Sequence, residues 1–170
     1  MLAGMIDIRA VSADDWMAWR ALRLRALQEA SFAFGSTYED WKDAPESRWR
    51  QRLQTAQALN LIAHLDESPV GMASGMAGER AGTIELISMW VDPSVRGAGV
   101  GDGLIDSIER WASRRAEELW LAVVPGNDRA IGLYSRHGFE PVPELGDLLR
   151  DGSGREILMR KMLRAHSSRA

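Results

Sequence analysis

The chain has 170 residues, 45% of them hydrophobic and 26% charged, with a formal net charge of −3 and no cysteine. At roughly 100–200 residues per domain this is one domain of ordinary globular composition, and the longest apolar runs, such as Leu119–Val124, fall far short of the ~20 residues that cross a membrane as a helix. Lack of cysteine removes disulfides, thiolate metal sites and cysteine nucleophiles. His64, His137 and His166 are too dispersed to build a metal centre, and the charge lacks the basic excess of a nucleic-acid binder. The first residues carry neither the basic stretch nor the long apolar stretch of a secretory leader, so a cytoplasmic protein without membrane, metal or nucleic-acid partners is expected.

Met5–Val11 alternates apolar and polar residues, the period of a half-buried strand. Ser12, followed by Asp14 and Asp15, is an N-cap with acids in the opening turn, and predicts a helix to about Ala30. At 100° per residue Trp16, Trp19, Leu22, Leu24, Ala26 and Leu27 cover a wide arc of that helix, and Arg20 and Arg23 fall inside it. Residues 31–43 read as irregular and aromatic, and Pro45 opens a second helical stretch through Trp49 and Leu53. Asn60–Leu65 and Val70–Met76 predict a hairpin around the turn residues 66–69. Thr83–Val91, apolar on both parities, predicts a central strand covered on both faces.

Residues 92–101 form a glycine-rich loop, after which Leu104, Ile105, Ile108, Trp111 and Ala112 make an amphipathic helical stripe. A buried strand follows at Leu119–Val124, then a short helix after Pro125-Gly126-Asn127 that ends at Gly138. Phe139–Val142 and Arg155–Leu163 read as the last two strands around a turn-rich loop. The pattern predicts an α+β or α/β fold with a mixed sheet, in a single domain spanning residues 5–163 with a tail at 164–170.

Arg96-Gly97-Ala98-Gly99-Val100-Gly101, between a buried strand and an amphipathic helix, is the most informative segment. Alternating glycines leave room for successive amide N–H groups to face one anion, and the helix start adds partial positive charge. The loop is not a Walker A motif, because Asp102-Gly103-Leu104 stands where Gly-Lys-Ser/Thr would be needed. Nor is it a dinucleotide fingerprint: counted from Gly97 the sixth position is Asp102, and counted from Gly99 it is Leu104. The run Val91-Asp92-Pro93 through Gly101 resembles the pyrophosphate loop of the GNAT superfamily of N-acetyltransferases. A second family motif is similar in Asn127, Ala130, Tyr134, Gly138 and Phe139. The likeness is close over residues 70–142 and loose over the first sixty.

That resemblance implies a GNAT-like acyl-CoA N-acyltransferase fold, a splayed mixed sheet flanked by helices, with acetyl-CoA wedged between Thr83–Val91 and Leu119–Val124. It implies that backbone groups of Met89, Trp90 and Val91 meet the acetyl carbonyl and pantetheine, and that the amides of Arg96, Gly97, Ala98, Gly99, Val100, Gly101 and Asp102 hold the pyrophosphate. Asn127 caps the following helix and by the same likeness faces the cofactor arm, with Ala130 small enough to admit it. Tyr134, one turn further on the same face, is the catalytic candidate, a phenol that donates toward the departing thiolate. Core packing with a satisfied hydroxyl is its alternative. Glu85 stands where many relatives carry an acid and is the candidate base, or else the partner of a cross-strand arginine. Arg20 and Arg23 either snorkel or, with Phe34, frame the acceptor pocket. The reading is an N-acetyltransferase moving acetyl from acetyl-CoA to a primary amine of a small molecule or peptide. A non-catalytic acyl-CoA sensor and a protein N-terminal or lysine acetyltransferase are its alternatives, and a homodimer stays open.

Overall fold

The computed structural model describes residues 4–164; apart from Arg164, the expected tail lies outside the described residues. The described residues form seven strands and five helices. Strand β1 (Ile6–Ala10) leads through a 3-10 turn into α1 (Trp16–Glu29), α2 (Tyr38–Trp41) and α3 (Glu46–Leu53). Then come β2 (Leu59–Leu65), β3 (Ser68–Ala77), β4 (Thr83–Val91), α4 (Val100–Ala112), β5 (Glu118–Val123), α5 (Asp128–Arg136), β6 (Glu140–Leu148) and β7 (Arg155–Met162). They form one mixed sheet in the order β1-β2-β3-β4-β5-β7-β6, antiparallel except where β4 meets β5.

Local chemistry accounts for several element ends. Ser12 accepts from the Asp14 amide while Asp15 accepts from the Ser12 amide, a reciprocal cap, although the turn it starts is 3-10 and the α-helix begins only at Trp16. A second reciprocal cap, Thr37 with Asp40, starts α2, inside the stretch that reads as irregular in the sequence. The hairpin turn is shorter than residues 66–69: Asp66 and Glu67 alone turn the chain, both with positive φ (48° and 67°), the geometry of a two-residue hairpin loop. Ser68 and Pro69 already belong to β3. The larger correction concerns β6, which runs to Leu148 and not to Val142. It is an exposed edge strand whose pairing with β7 is twice interrupted, and such an edge tolerates Pro141 and Pro143 where a central strand does not.

The sheet carries a core on each face. On one side α4 lays Val100, Leu104, Ile105, Ile108 and Ala112 against Leu61, Ala73, Ile84, Leu86 and Leu119. On the other, Trp19, Leu22 and Ala26 of α1 and Trp49 and Leu53 of α3 cover Ile62, Met72 and Trp90. Burying such side chains stabilises by roughly 1.5–3 kcal/mol each.

Candidate active site

Strands β4 and β5 pair only through Thr83↔Glu118, Ile84↔Leu119 and Glu85↔Trp120. Beyond Glu85 the two separate, and the facing edges of Leu86–Val91 and Leu121–Val123 are left without each other's hydrogen bonds. A bulge sharpens the break. Met72 pairs with Trp90 and Ser74 with Ile87, so Ser88 and Met89 together oppose Ala73, and Ser88 takes a positive φ of 53°. The extra residue resets the alternation: Ile84 and Leu86, then Met89 and Val91, face α4, whereas Trp90 turns to the α1 face.

Two cavities open from this split. One, of about 420 Å³, lies against the glycine loop and is lined by Met89, Trp90, Val91, Arg96, Gly97, Gly99, Val100, Gly101, Asp102, Asn127, Ala130 and Tyr134. Among the described residues, Ala98 alone of the run 96–102 gives its amide to another main-chain group, Val95 O at 3.2 Å. Ala98 is thereby withdrawn from the expected set of free donors, because its N–H closes the turn that precedes the helix; it is also absent from the cavity lining. Gly97 and Gly99 have φ of +85° and +89°, a conformation that costs an L-residue roughly 1–2 kcal/mol. Gly101 is glycine for another reason: a Cβ there would lie 3.0 Å from Leu133 Cδ2 on α5, so its bareness serves helix packing.

Side chains finish this cavity. Glu29, the last residue of α1, accepts from Trp90 Nε1 at 2.8 Å and Arg96 Nη2 at 3.0 Å. Asp102, a carboxylate in the first turn of α4, is held by His137 Nε2 at 2.7 Å and Arg136 Nη2 at 3.2 Å. Those partners keep its pKa below the usual carboxylate range, His137 first. Asn127 Oδ1 caps α5 at the Ala130 amide, 3.4 Å away. Tyr134 is 7% exposed, stacks edge-on against Phe139, and among the described residues its hydroxyl has no side-chain or main-chain partner. Burial raises its pKa above that of a free phenol.

The other cavity, about 650 Å³, lies on the α1 face and reaches past Glu85 to β6 and β7. Phe34 lines both cavities. Arg23 lines the larger one, with its guanidinium 4.5 Å over the Phe34 ring. Arg20 does not line either and instead donates to Lys42 O at 3.1 Å, which ties α1 to the end of α2; the sequence pairs the two arginines and the structure separates them. Glu85 makes no ion pair among the described residues. Desolvation, then the nearby charges of Glu79 and Asp147, raise its pKa. Arg52, Ser88, Glu79 and Trp120 also line this cavity, and Arg129 and Arg136 the smaller one. The sequence reading missed all six because no local motif joins residues so far apart.

A parallel pair of strands splayed beyond a bulge, with a glycine loop starting the helix between them, defines an acyltransferase-type fold. The model of the acetyltransferase (GNAT) family matches residues 18–139, and the chain belongs to that family. It is 38% identical, over an alignment of 143 positions that covers 78% of this chain, to an uncharacterized N-acetyltransferase of Methanocaldococcus jannaschii, of which it spans 60%. Among solved structures it is similar to a GNAT-family acetyltransferase from Streptococcus pneumoniae, with a TM-score of 0.80 at 20% identity, covering 94% of this chain and 100% of that one. A Salmonella typhimurium protein solved with its cofactor acetyl-CoA has a TM-score of 0.75 at 19% identity, with 98% of each chain covered. No helix among the described residues is long and apolar enough to cross a membrane.

Proposed function

We propose that the protein transfers acetyl directly from acetyl-CoA to a primary amine. The observation that carries this reading is the run of unpartnered amides at residues 96, 97 and 99–102, facing a cavity that ends at Tyr134 and the unpaired edge of β4. Converging N–H groups at a helix start suit a diphosphate. The free edge of β4 suits the amides of a pantetheine arm, and donors aimed at a carbonyl that gains negative charge are worth ~3–4 kcal/mol each in acyl transfer.

Attack by the neutral amine nitrogen forms a C–N bond, expulsion of the coenzyme sulfur breaks the C–S bond, and the nitrogen's second proton passes to the thiolate; the first must leave the ammonium before attack. A lysine-like amine with pKa ~10.4 is overwhelmingly charged at pH 7, so a base is needed. Glu85, on the acceptor side of β4, takes that proton directly or through water. Tyr134 donates a hydrogen bond to the departing thiolate. With its pKa raised by burial, it acts by stabilising the anion in place and is a poor proton source, since a thiol of pKa ~8.5 is the stronger acid.

The test is acetyl-CoA-dependent thiol release with a panel of amines, alongside calorimetry with coenzyme A. Heat of binding together with amine-dependent release supports transfer. Binding without release for any amine or peptide would instead identify a sensor, and no binding at all would sink the reading.

A further inference from the structure

The larger cavity contains two largely buried cations, unlike the exposed Arg155, that find no carboxylate among the described residues. Arg23 and Arg52 both line it, and neither has a carboxylate partner among the described residues. Arg52 is held by neutral groups, Asn60 Oδ1 at 2.9 Å, Ser74 Oγ at 3.1 Å and Ser88 Oγ at 3.5 Å, and lies over the Trp19 ring. Arg23 stacks on Phe34, and its Nη1 is buried with no hydrogen-bond partner; so is Nε1 of Trp49, another residue of the same wall. Burial, with the charge of Arg52 adding to it, pulls the Arg23 pKa down to about 10.

Desolvating one guanidinium without an anion is costly, and placing two side by side is costlier still. Such an arrangement persists where a ligand supplies the missing charge, and every unmet group here is a donor. The opposite end of the cavity has the opposite sign. Glu79, Glu85, Asp147 and Glu156 line it, with the pKa of both Glu85 and Glu156 raised by desolvation. Arg80 on this wall is already paired to Glu144, and Arg155 donates to Gly146 O. Ser88, beside Arg52, is three residues along β4 from Glu85, about 10 Å at strand rise, a span that one small zwitterion and a water fill.

We propose that the acceptor is a small zwitterion, an amino acid or close analogue, whose compact oxyanion sits on Arg23 and Arg52 and whose ammonium faces the Glu85 end. This rests on the amine-transfer reading and narrows it. A carboxylate and a phosphonate share the required chemistry. Trp19, Phe34, Trp41, Trp49 and Trp120 give the cavity aromatic walls, so apolar side chains are the suitable probes. A peptide N-terminus, with its amine next to an amide and not an anion, is the acceptor this cavity rejects.

The experiment compares phenylalanine with phenethylamine, phenylalaninamide, a Phe-Ala dipeptide and the aminophosphonate analogue, in wild type and Arg23→Met, as kcat/KM. Wild type should favour the two amines whose anion sits on the carbon bearing the amine, phenylalanine and its phosphonate, by about 10- to 100-fold, the factor of a charge-assisted hydrogen bond. Arg23→Met should cut that preference at least tenfold. The split between phenylalanine and its phosphonate tells which oxyanion fits better. Preference for the amide or dipeptide, or a ratio unmoved by the substitution, overturns the proposal.

Binding provides a readout that does not depend on turnover: calorimetry of phenylalanine with the coenzyme A complex and with the free protein, for both variants. Binding that Arg23→Met removes supports the anion subsite even if no amine is acetylated, in which case transfer fails and the subsite stands. Thermal unfolding guards against a merely structural role. An unpaired, desolvated cation destabilises the fold, so the melting temperature of Arg23→Met should equal or exceed that of wild type, whereas a clear drop would mark Arg23 as a structural residue and overturn the proposal.

Discussion

The two cavities on either side of the split sheet are built from different materials. The smaller one is lined by main chain: amides of residues 96, 97 and 99–102, the open edge of β4 and two glycines in left-handed conformation. The larger one is lined by side chains from α1, α3, β4, β5, β6 and β7, converging over more than 130 residues of chain. Main-chain recognition suits a ligand that stays the same throughout a family, since no side-chain change erases an N–H. Side-chain recognition suits a partner that differs between relatives, because each contact can be replaced singly. The contrast teaches which half of the molecule to perturb for which effect.

Tyr134→Phe should give the largest effect, a fall in kcat of about 100-fold or more, the range for a donor placed at a reacting group, with coenzyme A affinity by calorimetry close to wild type. Unchanged turnover would remove Tyr134 from the chemistry and reduce it to packing against Phe139. Glu85→Gln should follow, with kcat/KM for the acceptor down about 10- to 100-fold at neutral pH. Its raised pKa sets the sign of the pH effect. The working form is the carboxylate, so activity should fall on the acid side of a midpoint above the ordinary glutamate range, and that limb should vanish in the variant. A persisting limb would assign the titration to another group.

Gly99→Val should act on the other cavity. Its Cβ meets nothing nearer than Ile6 Cδ1 at 3.9 Å, so crowding is not the cause; the cost is a branched residue at φ +89°, roughly 1–2 kcal/mol, and the loop should lose about tenfold in coenzyme A affinity as it shifts. An unaltered dissociation constant would break the distinction between the two cavities. The smallest effect belongs to Asp102→Asn. The native carboxyl is more acidic than in the unfolded chain, so it stabilises above the unfolded pKa and that contribution is lost as pH falls through the lower, folded value. With the side chain 44% exposed, the change at neutral pH should stay below about 1 kcal/mol and disappear in strong acid, which a pair of urea titrations would show.

The same difference in materials governs what was legible in the sequence. Strand β4 and the amphipathic helix α4 are strongly patterned, and the smaller cavity follows from one contiguous loop and the Asn127–Phe139 motif. The β6 extension was hidden because Glu140–Leu148 has the prolines, glycine and acids of a turn, and only pairing with β7 makes it a strand. Arg52 was hidden too, since on an exposed-looking helix of arginines nothing local separates it from Arg48 or Arg50, which find partners at the surface. Glu85 and Arg23 could be suspected from their places in apolar stretches, but their isolation from counter-charges belongs to the assembled cavity alone. Ala98 erred in the other direction: a loop motif does not say which of its amides the turn itself consumes.

Glu29 gives the molecule a mechanical consequence. One carboxylate clamps the indole of Trp90 and the guanidinium of Arg96, so the end of the first helix and the start of the glycine loop share a fastening. On the proposed function, a diphosphate arriving at the loop would compete for Arg96 and loosen the hold on that helix, whose other turns carry Arg23. Steady-state kinetics should therefore be ordered, with the coenzyme first and the amine second, and Glu29→Gln should blur that sequence toward random addition.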